Sequence, residues 1–265
     1  MKVHHLNCGT MRLPGARLVC HVLAVETGGG VALVDTGYGT RDIADPAGRI
    51  GAVRHLIRPV LDPAETALHQ LAGLGFTARD VTDIVLTHFD LDHIGGLDDF
   101  PEARVHVTAA EASAARSPAT LLERGRYDRT RVPRGPRLVA HAPTGEPWRG
   151  FAAARPLTGT GEGIVLVPLP GHTRGHAAVA VDAGDHWVLH CGDAFYHPGT
   201  LDGASRVPRA LRIQERAVAH DIAALRANQA RIAEVREEDR AALTVVCAHD
   251  PGLFEAARER GAAVP

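Results

Sequence analysis

Residues 85–96 read VLTHFDLDHIGG. A short apolar stretch, Ile84 to Leu86, has the composition of a buried strand. It runs directly into four side chains able to hold a metal: His88, Asp90, Asp92 and His93. On an extended segment residues 88 and 90 project to the same side, while Asp92 and His93 diverge as the chain turns. One loop at a strand end can therefore feed two neighbouring ions. Imidazole with carboxylate suits zinc, iron or manganese, and two such ions about 3.5–4 Å apart activate a shared water at neutral pH.

Later stretches repeat the order of strand, turn and site residue. GIVLVPL leads into PGHTRGH with His172 and His176, HWVLHCGDA carries Asp193, and LTVVCAHD ends in His249. AAVAVDA lies between the first two as a further strand. Upstream, residues 2–6, RLVCHVLAVET and VALVDTG read as an antiparallel meander turned at GGG, with Asp35 at a strand end, where α/β folds commonly place their chemistry. Helices are expected near 47–60 and 63–74, the second capped by Asp62 with Pro63 at its first position. RVHVT at 104–108 reads as a strand, with Thr108 capping the helix AAEASAA. One long helical stretch from about 208 to 238 precedes the last strand, and a terminal helix follows it. Residues 117–160, rich in Arg, Pro and Gly, are expected to be the least regular segment and to shape a substrate pocket.

The chain has 265 residues, 45% hydrophobic and 23% charged. That is a globular balance, compatible with one large α/β domain. A net charge of −2 gives no field to gather nucleic acid, which argues against a long polyanionic substrate. There is no apolar run of membrane-spanning length. The start, MKVHHLNCGTMRLPG, lacks the basic-then-apolar pattern of a secretory signal, so the expected location is cytoplasmic. Cys8, Cys20, Cys191 and Cys247 are scattered and read as reduced and mostly buried. From Arg116 to Arg137 seven arginines face only Glu123 and Asp128. That run is either a solvated loop or a lid meeting an anionic group of the substrate, with Arg126 the candidate contact. The expected partner is a small-molecule substrate, with neither nucleic acid nor membrane; a homodimer stays open.

Taken in order, the motifs resemble those of the metallo-β-lactamase superfamily from residue 2 to about 255. Its HxHxDH loop corresponds to His88-Phe89-Asp90-Leu91-Asp92-His93, its third-ligand loop to His172, its bridging aspartate to Asp193 and its late histidine to His249. The DTG at Asp35 also matches. The resemblance implies a single domain over 1–265, an α/β four-layer αβ/βα sandwich of two mixed β-sheets flanked by helices. It also implies two divalent metal ions. His88, His172 and Asp90 would hold one, Asp92, His93 and His249 the other, and Asp193 would bridge them. Asp35 would accept from a ligand histidine and fix its tautomer, and His176 would be structural.

Asp90 departs from the family, which usually has histidine there. An ionised carboxylate leaves a loaded site one unit less positive and its water harder to deprotonate. It also favours harder ions, so iron or manganese joins zinc as an expected metal. Aspartate is shorter than histidine as well, which leaves the occupancy of that corner open. Tyr196, three residues beyond Asp193, is placed like the tyrosine that meets the substrate carbonyl or oxyanion in acyl-homoserine lactone lactonases. The implied reaction is hydrolysis of an ester, lactone or thioester by metal-bound hydroxide, with Tyr196 donating to the oxyanion and Asp92 managing the proton. Two alternatives stand beside it: an iron-dependent oxygenase or sulfur-oxidising enzyme of the same fold, and a catalytically weak metal-binding protein.

Overall fold

Pro14 and Gly15 turn the chain back on itself, Gly15 with φ 82°. β1 (Lys2–Leu13) therefore pairs antiparallel with β2 (Ala16–Thr27), and β2 with β3 (Gly30–Val34). The computed structural model describes residues 1–262 of the chain. β4 (Val81–Val85), β5 (Arg104–Thr108) and β6 (Leu138–His141) add in parallel, completing a six-stranded sheet in chain order. The second sheet holds β7 (Glu146–Trp148), β8 (Phe151–Pro156), β9 (Ile164–Pro168), β10 (Ala177–Asp182), β11 (Trp187–His190) and β12 (Leu243–Val246), again neighbours in chain order. Only β11 and β12 pair in parallel there. Two mixed sheets flanked by helices make the αβ/βα sandwich.

Period-two alternation assigns each strand side chain to a layer. In β3, Val31 and Leu33 face the helical side, while Ala32 and Val34 face the other sheet. In β10, Ala178 and Ala180 meet the outer helices, and Val179 and Val181 meet β2, β3 and β4 between the sheets. Both faces of these strands are buried, which is why their sequences read as unbroken apolar runs. Each fully buried Val or Leu contributes roughly 1.5–3 kcal/mol.

Several local expectations need correction. The helix expected at 47–60 is broken into Pro46–Arg49, a 3-10 turn Gly51–Val53 and Arg54–Ile57. Gly51 at φ 71° and Arg58 at φ 46° leave the helical region and stop it. Asp62 caps only the 3-10 turn Pro63–Glu65, and Thr66 starts the helix Ala67–Gly73 by accepting from His69 N. Thr108 caps its helix as expected, accepting from Glu111 N. The long stretch at 208–238 is two helices, Arg209–Val218 and Ile222–Glu238. Between them His220 N and Asp221 N donate to His172 O and Gly171 O, so the break satisfies the backbone of a site loop. Segment 117–160 is more regular than expected. It contributes the helix Leu121–Arg126, β6, β7 and β8, with Arg149 and Gly150 both at positive φ in a tight hairpin turn. Among the described residues no helix is long and apolar enough to cross a membrane.

Candidate metal centre

Asp35, the His88–His93 loop, Asp193 and His249 follow β3, β4, β11 and β12, and His172 lies between β9 and β10. Sheet pairing therefore gathers all of them at one rim. Asp90 sits at the start of the helix Leu91–Ile94 but makes no side-chain cap bond, so its carboxylate is free to face the centre. Asp90 Oδ2 lies 3.1 Å from His172 Nε2 and 3.4 Å from His88 Nε2. Asp193 faces two ways. Its Oδ2 is 3.4 Å from His172 Nε2 and 3.9 Å from His88 Nε2, while its Oδ1 is 3.2 Å from His93 Nε2 and 3.1 Å from His249 Nε2. Asp92 Oδ2 lies 3.5 Å from His249 Nε2. His88, Asp90, His172 and Asp193 form one group, and His93, Asp193 and His249 another, with ligand atoms in each group within 4.8 Å of one another.

The protein behind these rings fixes which nitrogen looks inward. His93 Nδ1 donates to Asp35 Oδ2 at 2.8 Å, and His249 Nδ1 to Val19 O at 2.7 Å. His88 Nδ1 lies 2.9 Å from Thr87 Oγ1, which in turn donates to Asp35 Oδ2 at 2.8 Å. Asp35 thus orients His93 directly and His88 through one hydroxyl. His176 is different. Its Nδ1 donates to Leu169 O at 3.1 Å and its Nε2 accepts from Asp193 N at 3.0 Å, so both nitrogens are used and it holds the backbone of Asp193.

Several buried polar atoms at the centre have no hydrogen-bond partner: His88 Nε2, His93 Nε2, Asp90 Oδ1 and Asp193 Oδ1. Leaving such atoms dry costs roughly 1–3 kcal/mol each, and the inward imidazole nitrogens and carboxylate oxygens are the donor set for a divalent cation. The residues fit a metal. Charge agrees. Burial alone would lift Asp193, but His249, His93 and His172 hold it well below the usual carboxylate range. Burial would depress His93, and Asp193, Asp35 and Asp92 more than reverse that.

Comparison with known proteins gives the family. The family model described as metallo-beta-lactamase superfamily covers residues 15–249. The chain belongs to the metallo-β-lactamase superfamily. It is 59% identical over 259 residues to a protein of Mycobacterium tuberculosis named probable metallo-hydrolase, covering 98% of this chain and 83% of that one. A shorter match, 29% over 117 residues and 44% of each chain, is to the N-acyl homoserine lactonase AttM of Rhizobium radiobacter. Among solved structures, an N-acyl homoserine lactone hydrolase with N-hexanoyl-L-homoserine at its catalytic metal centre superposes with TM-score 0.72, at 20% identity over 96% of this chain and 95% of its own. A variant of AiiA from B. thuringiensis with N-decanoyl-L-homoserine at its active site gives TM-score 0.73, at 19% identity over 96% and 95%.

The chain departs from the sequence-based expectation at Arg126. Its side chain is 7% exposed. Nε lies 3.2 Å from Asp90 Oδ1, Nη1 donates to His172 O at 2.7 Å, and Nη2 donates to Val218 O. The guanidinium is engaged by the protein rather than offered to a substrate. Asp90 follows from it. Burial would raise its carboxyl, but Arg126 and His88 hold it well below the ordinary range. Of the other arginines, Arg131 pairs with Asp42 at 3.2 Å and Arg137 donates to Ala103, Leu97 and Phe100 carbonyls. Arg116, Arg124, Arg129 and Arg134 are exposed. The run divides into internal ties and solvated charges, and forms no common lid.

Two neighbours of the centre escaped the sequence reading. Glu111 is fully buried. It accepts from Phe89 N and Tyr127 Oη with one oxygen, and from Thr173 Oγ1 and Gly175 N with the other, so it joins the loop after β4 to the loop between β9 and β10. Its place in the first turn of a helix capped by Thr108 was the available signal. Cys20 groups with Asp92 and His249. Burial and the Asp92 charge push its thiol well up.

Proposed function

We propose that the protein hydrolyses a carbonyl ester bond of a small molecule, a lactone, ester or thioester, at a two-ion centre with zinc as the expected metal. The observation that carries this reading is Asp193, whose two oxygens face two separate groups of inward imidazole nitrogens. Bound divalent ions would supply an activated water and polarise the carbonyl oxygen.

The chain's own residues supply the rest. Tyr196 is buried with its Oη 3.0 Å from Asp193 Oδ2, and its ring stacks on His249 at 9° with centroids 5.6 Å apart. That fixes a neutral phenol beside the centre, since burial and the Asp193 charge push its ionisation well up. Its one O–H donates to Asp193 Oδ2 here; were that oxygen taken up by a bound ion, the same O–H would be released to stabilise negative charge developing on the carbonyl oxygen. Asp92 is 16% exposed, the position needed to carry a proton from water to the leaving oxygen. A buried apolar cluster of Met11, Tyr38, Ile50 and Leu211 packs with Tyr196 and keeps water off that side of the centre. The lactonase-like fold neighbours support the bond class.

The test is turnover of a lactone, ester and thioester panel by zinc-loaded protein, with Asp193→Ala as control. Hydrolysis by the parent and its loss with bound metal in the variant are expected. Absence of turnover across the panel, with zinc content unchanged by Asp193→Ala, would sink the proposal. Dioxygen uptake by the iron-loaded protein would instead favour the oxygenase alternative.

A further inference from the structure

We infer that Asp90 and Arg126 work as one neutral unit in place of a histidine: Arg126 is a positioning residue that cancels the carboxylate's charge and turns its other oxygen into the metal corner. The two Asp90 oxygens have different surroundings. Oδ2 faces His172 Nε2 at 3.1 Å and His88 Nε2 at 3.4 Å, while Oδ1 faces Arg126 Nε at 3.2 Å. Oδ1 has no directed hydrogen bond, so the tie to Arg126 is coulombic. Guanidinium stays protonated in proteins, and its remaining contacts here are the neutral carbonyls of His172 and Val218. Among the described residues Asp90 is the one carboxylate in ion-pair contact with it.

Four carboxylates serve this centre: Asp35, Asp90, Asp92 and Asp193. Arg126 offsets one of them. The pair carries no net charge, the same as a neutral imidazole at position 90 with no arginine beside it, so the aspartate does not make the loaded centre less positive. The guanidinium is also held at a defined place. It ends the helix Leu121–Arg126, whose first turn is set by the Thr120–Glu123 capping box. Glu123 in turn accepts from Arg174 Nε and Nη2 at 2.8–2.9 Å, two residues from His172. The helix is thus pinned twice to the loop that carries a ligand. The inference needs metal binding at the cradle and is independent of which bond the enzyme cleaves.

A double-mutant cycle tests it. The full chain, stripped of metal, is titrated with zinc against a competing chelator, zinc per chain is measured by mass spectrometry, and thermal unfolding reports folding. Asp90→His leaves the guanidinium uncompensated beside the imidazoles, and at least a tenfold loss in affinity for the weaker zinc equivalent is expected. Adding Arg126→Leu removes that charge and should restore affinity to within threefold of the parent. A structural clamp alone predicts the opposite, since the second substitution would then add to the damage. A double variant as weak as Asp90→His, or weaker, overturns the inference. If Asp90→His/Arg126→Leu does not fold, Asp90→His/Arg126→Gln decides on the same criterion. Failure of both neutral pairs to fold would assign Arg126 to the fold and likewise overturn it.

Discussion

Asp35→Asn is the perturbation that isolates how the centre is aimed. Asp35 accepts three bonds at 2.8 Å: Thr87 N on Oδ1, and Thr87 Oγ1 and His93 Nδ1 on Oδ2. Its φ of 58° lies in the left-handed region, which Asn tolerates well, so the variant adds little backbone strain. Asn keeps the bond from Thr87 N but puts an N–H donor where Oδ2 was. His93 Nδ1–H then faces a donor. The ring must give up that bond or move its proton to Nε2, which removes the inward lone pair. Thr87 Oγ1 must turn to accept, and its link to His88 Nδ1 is disturbed with it.

Losing such a partner behind a metal ligand typically weakens metal binding 10–100-fold, or about 1.4–2.8 kcal/mol. Asp35→Asn should therefore weaken zinc at both corners. Thr87→Val cuts only the route to His88 and should weaken one equivalent. Asp35→Ala should destabilise the metal-free protein by about 1–2 kcal/mol more than Asp35→Asn, because alanine is strained at that φ. The measurements are chelator-competition titration for the metal and thermal unfolding in excess chelator for the fold. Wild-type zinc affinity in Asp35→Asn, for both equivalents, would refute the orienting role.

Gly192→Ala places a Cβ 2.7 Å from His176 Nε2 at φ 51°, and since that ring holds Asp193 N, a loss of roughly 2–4 kcal/mol in denaturant melts with reduced zinc content is expected. Tyr196→Phe should lower kcat about 100-fold on whichever ester or lactone is turned over, with zinc content unchanged; a kcat within threefold of the parent removes Tyr196 from the chemistry. His5 is pushed down to about 4 by burial and by the neighbouring His190, His186 and His4. An unfolded chain takes up that proton near the ordinary value, so stability is full above about pH 6.5 and falls as pH drops toward 4, by at most roughly 3 kcal/mol. His5→Leu should flatten that part of the stability–pH curve measured in chelator, and an unchanged slope counts against it.

What was legible in the sequence was what adjacency or strand periodicity determines. His88, Asp90, Asp92 and His93 share one loop, and His172, Asp193 and His249 each lie just beyond a strand whose apolar run announces its burial. Once β3, β4, β9, β11 and β12 are recognised, sheet pairing brings their ends together at one rim. The strands β6, β7 and β8 were missed because they are short, LVAH, EPW and FAAARP, and lie scattered in a segment rich in Arg, Pro and Gly. Leu138–His141 owes its place to pairing with β5, and Glu146–Trp148 to a two-residue turn at Arg149 and Gly150. Neither is a property of the segment alone.

Arg126 shows the same limit at the level of charge. As one of seven arginines in an Arg-rich run, it carries no local sign of pairing with a residue 36 positions earlier. Counted from the sequence, Asp90 makes the centre less positive. Counted in space, the guanidinium at 3.2 Å offsets it. The electrostatics of a buried site depend on every charge within a few ångströms, and desolvation strengthens each of them. A ligand substitution therefore has no fixed electrostatic meaning until its neighbours are located. Asp90 taken alone argues for harder metals and a weaker first corner. With Arg126 beside it, the charge argument for that weakness disappears, and what remains is the difference between an oxygen and a nitrogen donor. Metal preference at that corner should then follow donor chemistry: manganese or iron should gain on zinc in the parent relative to Asp90→His/Arg126→Leu, measured by competitive loading of the metal-free chain. An unchanged preference between the two proteins would mean that the Asp90 oxygen does not reach the ion.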